Sequence, residues 1–178
     1  MNEKYALLFR KGNGTIVNSF TQWGIVCAKV PFDVGGKTKE PAKREWPDEH
    51  GEDAYLPTKL MMQAYDAEFE MAYKGKELAS NPFDLSLAES QIKAFKKWLT
   101  GNDNVNGSGS ELKIYSPYST IGRQKCYLLE IDDEEPHLQT VQDAGNVYNE
   151  NVVTFKVTFR VTDPMTDIEL TETSSSSS

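Results

Sequence analysis

Between positions 153 and 162 the chain reads Val153-Thr-Phe-Lys-Val-Thr-Phe-Arg-Val-Thr162, apolar and polar residues in strict alternation. Successive side chains of a strand leave on opposite faces. Val153, Phe155, Val157, Phe159 and Val161 therefore share one face, and Thr154, Lys156, Thr158, Arg160 and Thr162 share the other. So long a period of two predicts antiparallel sheet with one covered face, because parallel strands wrapped by helices read as continuous apolar runs. A second stretch repeats the pattern: Tyr65, Ala67, Phe69, Met71 and Tyr73 alternate with mostly charged residues up to Lys74. Shorter strand candidates lie at 5–10, 15–20, 23–30, 112–115 and 125–131, each bounded by Gly, Asn, Pro or Asp. Seven strands suffice for a sandwich or barrel.

One helix interrupts them, predicted over about 86–100. Ala88, Ile92, Phe95 and Leu99 form a single apolar stripe. Ser86 and Glu89 have the spacing of a capping box, Lys93, Lys96 and Lys97 suit the negative end of the helix dipole, and Gly101 supplies a stop. The predicted fold class is mainly β (α+β): an antiparallel β-sandwich or barrel with one flanking α-helix and long loops. Those loops are 31–57, rich in Pro, Gly and charge, and 101–110, rich in Gly, Asn and Ser.

With 178 residues, the chain fits one domain, expected over 1–172, followed by a frayed serine-rich tail at 173–178. Hydrophobic residues make up 38%, with eight Tyr, eight Phe and three Trp, too rich in core formers for intrinsic disorder. The net charge of −8 is the wrong sign for gripping a nucleic-acid backbone. Only five consecutive apolar or aromatic residues, Tyr5 to Phe9, precede Arg10, too few for a secretory core or a membrane span. Cys27 and Cys126 lie far apart, outside any C-x-x-C pair, and are expected as buried free thiols in a protein made in the cytoplasm.

His50 stands within Asp48-Glu-His-Gly-Glu-Asp53, a set able in principle to hold a metal or activate water, as a metal-assisted hydrolase would. No H-E-x-x-H accompanies it, and an exposed acidic loop accounts for the cluster. Glu130, Asp132, Asp133, Glu134 and Glu135 could attract a hard cation, but a strand ending in a solvated turn explains them equally. Gly12-Asn-Gly14 and Gly107-Ser-Gly109 lack the Lys-Ser/Thr of a phosphate loop and read as turns. No nucleophile elbow occurs, so no catalytic, cofactor-binding or metal residue is expected. Trp46, Tyr55, Leu56 and Leu60 stud an otherwise polar segment. They suit anchors on a partner surface and equally a return to the domain's own core.

Taken in order, the pieces form a longer pattern. Tyr65-Asp-Ala-Glu-Phe-Glu-Met-Ala-Tyr-Lys-Gly75 leads to a helix ending Phe95-Lys-Lys-Trp-Leu-Thr-Gly101. Glu111-Leu-Lys-Ile-Tyr115, Cys126-Tyr-Leu-Leu-Glu-Ile131 and the stretch closing Phe159-Arg-Val-Thr-Asp-Pro164 follow. This order, over roughly 23–164, resembles the N-terminal domain of the distal tail proteins of long-tailed bacteriophages, which is itself similar to the tail-tube fold. The resemblance implies a β-sandwich or barrel flanked by a helix, without catalytic residues. It also implies a six-fold ring of identical subunits that continues the tail tube and holds baseplate, hub or receptor-binding proteins. DNA would be a passing, non-sticking cargo of the lumen, with no membrane partner and no cofactor. The location implied is the virion tail, assembled in the cytoplasm of the host bacterium. Many members carry a second, carbohydrate-module-like domain, whereas this sequence ends soon after Pro164, and its 31–57 loop is long and charged. A tail-tube subunit, a tube-terminating ring or a divergent baseplate component therefore stays open. So does a monomeric sandwich module that binds a glycan or protein around Trp46 and Tyr55.

Overall fold

The two alternating stretches are neighbours. In the computed structural model, which describes residues 5–29, 32, 36–74, 85–103, 109–143 and 145–172, β6 (Tyr65–Tyr73) lies antiparallel to β9 (Asn146–Val161). Their register runs from Tyr65 opposite Val161 to Tyr73 opposite Val153. Ala67, Phe69, Met71, Val153, Phe155, Val157, Phe159 and Val161 are buried on the shared inner face. The outer face carries Lys156 beside Glu68 at 3.1 Å and Arg160 beside Asp66 at 2.8 Å. Exposed pairs of this kind contribute little, so burial of the inner face fixes the register.

Around this pair the described residues form a curled antiparallel sheet of seven strands, ordered β2-β1-β7-β8-β9-β6-β3. The remaining members are β1 (Leu8–Arg10), β2 (Val17–Asn18), β3 (Ile25–Lys29), β7 (Leu112–Ser116) and β8 (Ile121–Asp143). The expected mainly-β class with a flanking helix holds. Gly12 and Gly14 make the turn between β1 and β2, Gly14 N–H donating to the Lys11 carbonyl at 2.8 Å.

Helix α2 (Leu85–Thr100) crosses the inner face and buries the expected stripe of Ala88, Ile92, Phe95 and Leu99. Phe95 sits against Trp23 at 5.0 Å and Phe9 at 5.8 Å between ring centroids, and Phe69 meets Phe159 edge-on at 5.3 Å. At the C-terminal end, Gly101 takes φ +77° and its N–H reaches the Trp98 carbonyl, while Asn102 N–H reaches that of Lys97. This is a Schellman closure, which only glycine enters without strain. The N-terminal expectation fails, because Ser86 is already the second helical residue and cannot cap.

Three further departures have identifiable causes. The strand expected over 15–20 stops at Asn18, whose side chain accepts from the N–H groups of Phe20 and Thr21 and starts helix α1 (Ser19–Trp23). Second, β8 does not end in a turn at the acidic run but continues through it to Asp143. Register shifts between Leu128 and Glu130 and between Asp132 and Glu135 break the period of two there. Pro136 lies in this part of β8, where among the described residues a strand neighbour stands on one side only, so its missing N–H is tolerated. Third, the 31–57 stretch is not simply a loop. It contributes to an arm in which β4 (Lys43–Arg44) pairs with β5 (Asp53–Ala54). Lys39 N–H donates to Met61 and Gln63 N–H to Lys37, both at 2.7 Å, extending the arm over 37–63. The 173–178 tail and positions 104–108 lie outside the described residues.

Past β9 the chain folds back over β1, β7 and β8. Leu170 is buried with Leu8 and Tyr115, and Ile168 N–H donates to the Gly122 carbonyl at 3.4 Å. The buried Arg123 guanidinium pairs with Asp167 and lies 5.9 Å from the Phe32 ring centroid. A β-carbon at Gly122 would overlap the Ile168 carbonyl oxygen. Gly122→Ala is therefore expected to lower stability by about 1–3 kcal/mol through overpacking, measured by urea denaturation. An unchanged midpoint would show that this segment is not seated there.

Candidate functional site

Chemistry was one option for the polar clusters. His50 and its acidic neighbours are exposed at the turn of the 37–63 arm. Among the described residues, no three His, Cys, Asp or Glu side chains stand close enough together to hold a metal ion. Glu130 and Asp132 are exposed along β8. Cys27 and Cys126 are both free and buried. Burial pushes each thiol up to about 12 from an ordinary value near 9. A thiol protonated at neutral pH is a poor nucleophile.

This makes a pH prediction. Below the unfolded value both states are protonated, so the stabilisation is complete. Above it the unfolded chain loses protons that the native one keeps, and stability falls as pH rises from about 8.5 toward 12. Native protein is expected to react with a thiol reagent far more slowly than urea-unfolded protein. Equal rates would contradict the burial.

The surfaces carry more. The four residues singled out in the arm are exposed: Trp46 46%, Tyr55 76%, Leu56 72% and Leu60 50%. Of the two readings open in the sequence, a return to the core is not what these side chains do. Met61, at 62% exposure, belongs with them and was not anticipated. Arg44 lies over the Trp46 ring at 4.9 Å, which holds the indole at the arm's surface. Tyr55 N–H bonds the Ala42 carbonyl at 2.8 Å, so it projects from paired backbone.

A second projection is formed by β8 and β9 themselves. β7 pairs with β8 no further than Cys126, and β6 pairs with β9 no nearer the turn than Val153. From His137 opposite Val152 to Asp143 opposite Asn146 the two strands pair only with each other among the described residues. Seven residues at about 3.3 Å each carry this ribbon roughly 23 Å beyond the sheet. Gly145 turns it with φ +86°. Nearer the main sheet, Tyr127 and Leu129 are exposed on the stretch of β8 past its last β7 pair at Cys126. No protein-family model matches the chain, and no curated protein matches it either.

A two-stranded ribbon alone in water is marginally stable, and a sheet edge with unpaired N–H and C=O groups is a template for another strand. The projecting ribbon, whose strands pair only with each other among the described residues, and the apolar arm together supply strand edges and exposed apolar area. What such an arrangement can do is associate. A third surface lies along the outer side of α2, an open groove of about 460 Å³ lined by Ser86, Glu89, Ser90, Lys93, Ala94 and Lys97.

Proposed function

We propose that the chain is a structural virion protein of a bacteriophage tail or tail tip, a tail-tube-like subunit that forms a homo-oligomeric ring and performs no chemistry. The ring continues the tail tube and anchors baseplate or receptor-binding components. The observation that carries this reading is the β8–β9 ribbon, whose outer edges pair with no strand among the described residues and which a neighbouring copy completes. Head-to-tail completion of one subunit's border by the next closes into a ring when the rotation permits. The net charge of −8 suits a lumen that DNA crosses without adhering. Six-fold symmetry, tail-tube and hub neighbours and a virion location come with the resemblance over roughly 23–164. A tube or tube-terminator subunit would use the same ring.

The test is assembly. Purified protein is expected to form discrete rings in negative stain, and antibody against the chain is expected to label tails. A monomer at every concentration, absent from virions, would overturn the proposal.

The exposure of Trp46 and Tyr55 favours one rival, a monomeric module that binds a glycan or protein through the arm. Trp46→Ala separates the two. A binding module loses its ligand on a glycan array or in titration calorimetry, whereas a ring subunit shows no ligand to lose and is read by its assembly.

A further inference from the structure

On a subunit of net charge −8, two exposed surfaces stand out for opposite local charge. The turn of the 37–63 arm holds five carboxylates, Glu45, Asp48, Glu49, Glu52 and Asp53, all on exposed residues. Of these, Glu52 faces Lys43 at 3.1 Å, and none of the other four is in an ion pair among the described residues. The outer side of α2 is the opposite. Lys93 and Lys97 stand one turn apart along the open groove with Ser86, Ser90 and Ala94 between and beside them, and Lys96 flanks it. Glu89 is the single acid of that helix. No ion pair among the described residues uses Lys93, Lys96 or Lys97.

The geometry points to a specific contact between copies: the acidic turn of one subunit's arm seats in the lysine-lined groove of α2 on a second copy of this chain. Both surfaces are exposed within one subunit, so neither satisfies the other internally. They are different patches, so the contact is heterologous, and it repeats from copy to copy until it closes. Trp46, beside the acidic turn, brings apolar area to the same approach, and the lysine stems offer apolar surface to receive it. Charge complementarity sets the register and speeds encounter, and it suppresses the like-charged pairings of arm with arm and helix with helix. This contact rests on the self-assembly reading above and gives that reading a second joint, separate from the ribbon.

Charge exchange tests it. Sedimentation equilibrium at low ionic strength compares wild type, K93E/K97E, D48K/E49K and an equimolar mixture of the two variants, with circular dichroism melts to establish that each folds. All four positions are exposed. Each variant alone is expected to associate at least about tenfold more weakly than wild type, because arm and helix now repel. The mixture is expected to recover association, since each variant's arm then meets a helix of opposite charge. Added salt is expected to weaken wild-type association through screening. Should wild type assemble while the variants assemble equally well, or the mixture fail to recover, this contact is overturned and the assembly reading stands. Should wild type remain monomeric throughout, both fall.

Discussion

Phe95→Ala is expected to lower unfolding free energy by about 3–5 kcal/mol, the range for deleting a fully buried aromatic ring. The ring is 0% exposed on the inner stripe of α2, between Trp23 and Phe9. Those partners come from α1 and β1, elements far away in sequence, so the cavity left by truncation is walled by parts that cannot collapse together easily. The sum of such contacts is what holds α2 to the sheet. Against a typical total of about 5–15 kcal/mol, the loss would leave a marginal domain. Urea denaturation monitored by tryptophan fluorescence reads it, with Trp23 and Trp98 reporting on the same cluster, 5.4 Å apart between centroids. A stability close to wild type would mean that the helix presents another face to the core.

The second large effect separates folding from assembly. Replacing 138–151 by Asn-Gly joins His137 to Val152, which are already opposite each other in the β8–β9 register, by a two-residue hairpin turn. Val152 is kept because it is buried with Val26 and Ala72 on the outer side of the sheet. All nine β6–β9 pairs from Tyr65 to Tyr73 are untouched. The shortened chain is therefore expected to melt within a few degrees of wild type, since every β6–β9 pair and the buried face of β9 from Val152 onward are retained, and to lose ring formation completely. Rings of unchanged size from this variant would show that the ribbon is ornamental. Loss of folding would show that it supports the sheet.

Why some of this was legible in the sequence, and some not, follows from which interactions are local. The alternation at 65–73 and 153–161 and the Ala88, Ile92, Phe95, Leu99 stripe are written in single segments, and all three elements stand where those patterns put them. At Asn18 two local signals compete: the alternation favours a strand, but the Asn side chain accepts from the N–H groups of Phe20 and Thr21, and the cap prevails. The length of β8 was hidden for a different reason. Its acids resemble a turn, and two register shifts interrupt its alternation, while the residue that faces Asp132 across the ladder is Lys156, beyond any local window. Gly145, following Asp143, was the available sign of a hairpin at the far end.

The arm illustrates the same limit at the candidate site. Nothing in 31–57 says that Lys39 will pair with Met61 or Gln63 with Lys37. Trp46, Tyr55, Leu56 and Leu60 could be named from their types, but whether an aromatic residue on a polar segment turns inward or outward is decided by tertiary packing. The cationic outer side of α2 was visible only as lysines suited to a helix end. Its meaning as a surface appears once the apolar stripe is seen to face the sheet and the lysines are left outside.

The most direct test of the central claim is the mass and shape of the assembled species, taken together by sedimentation and negative-stain imaging of purified protein and of tail particles. Closed rings of a fixed small number of identical copies are expected, six for a tail-tube-like ring, in register with the tail axis. A solitary subunit at every concentration, with no copy in the particles, would contradict it.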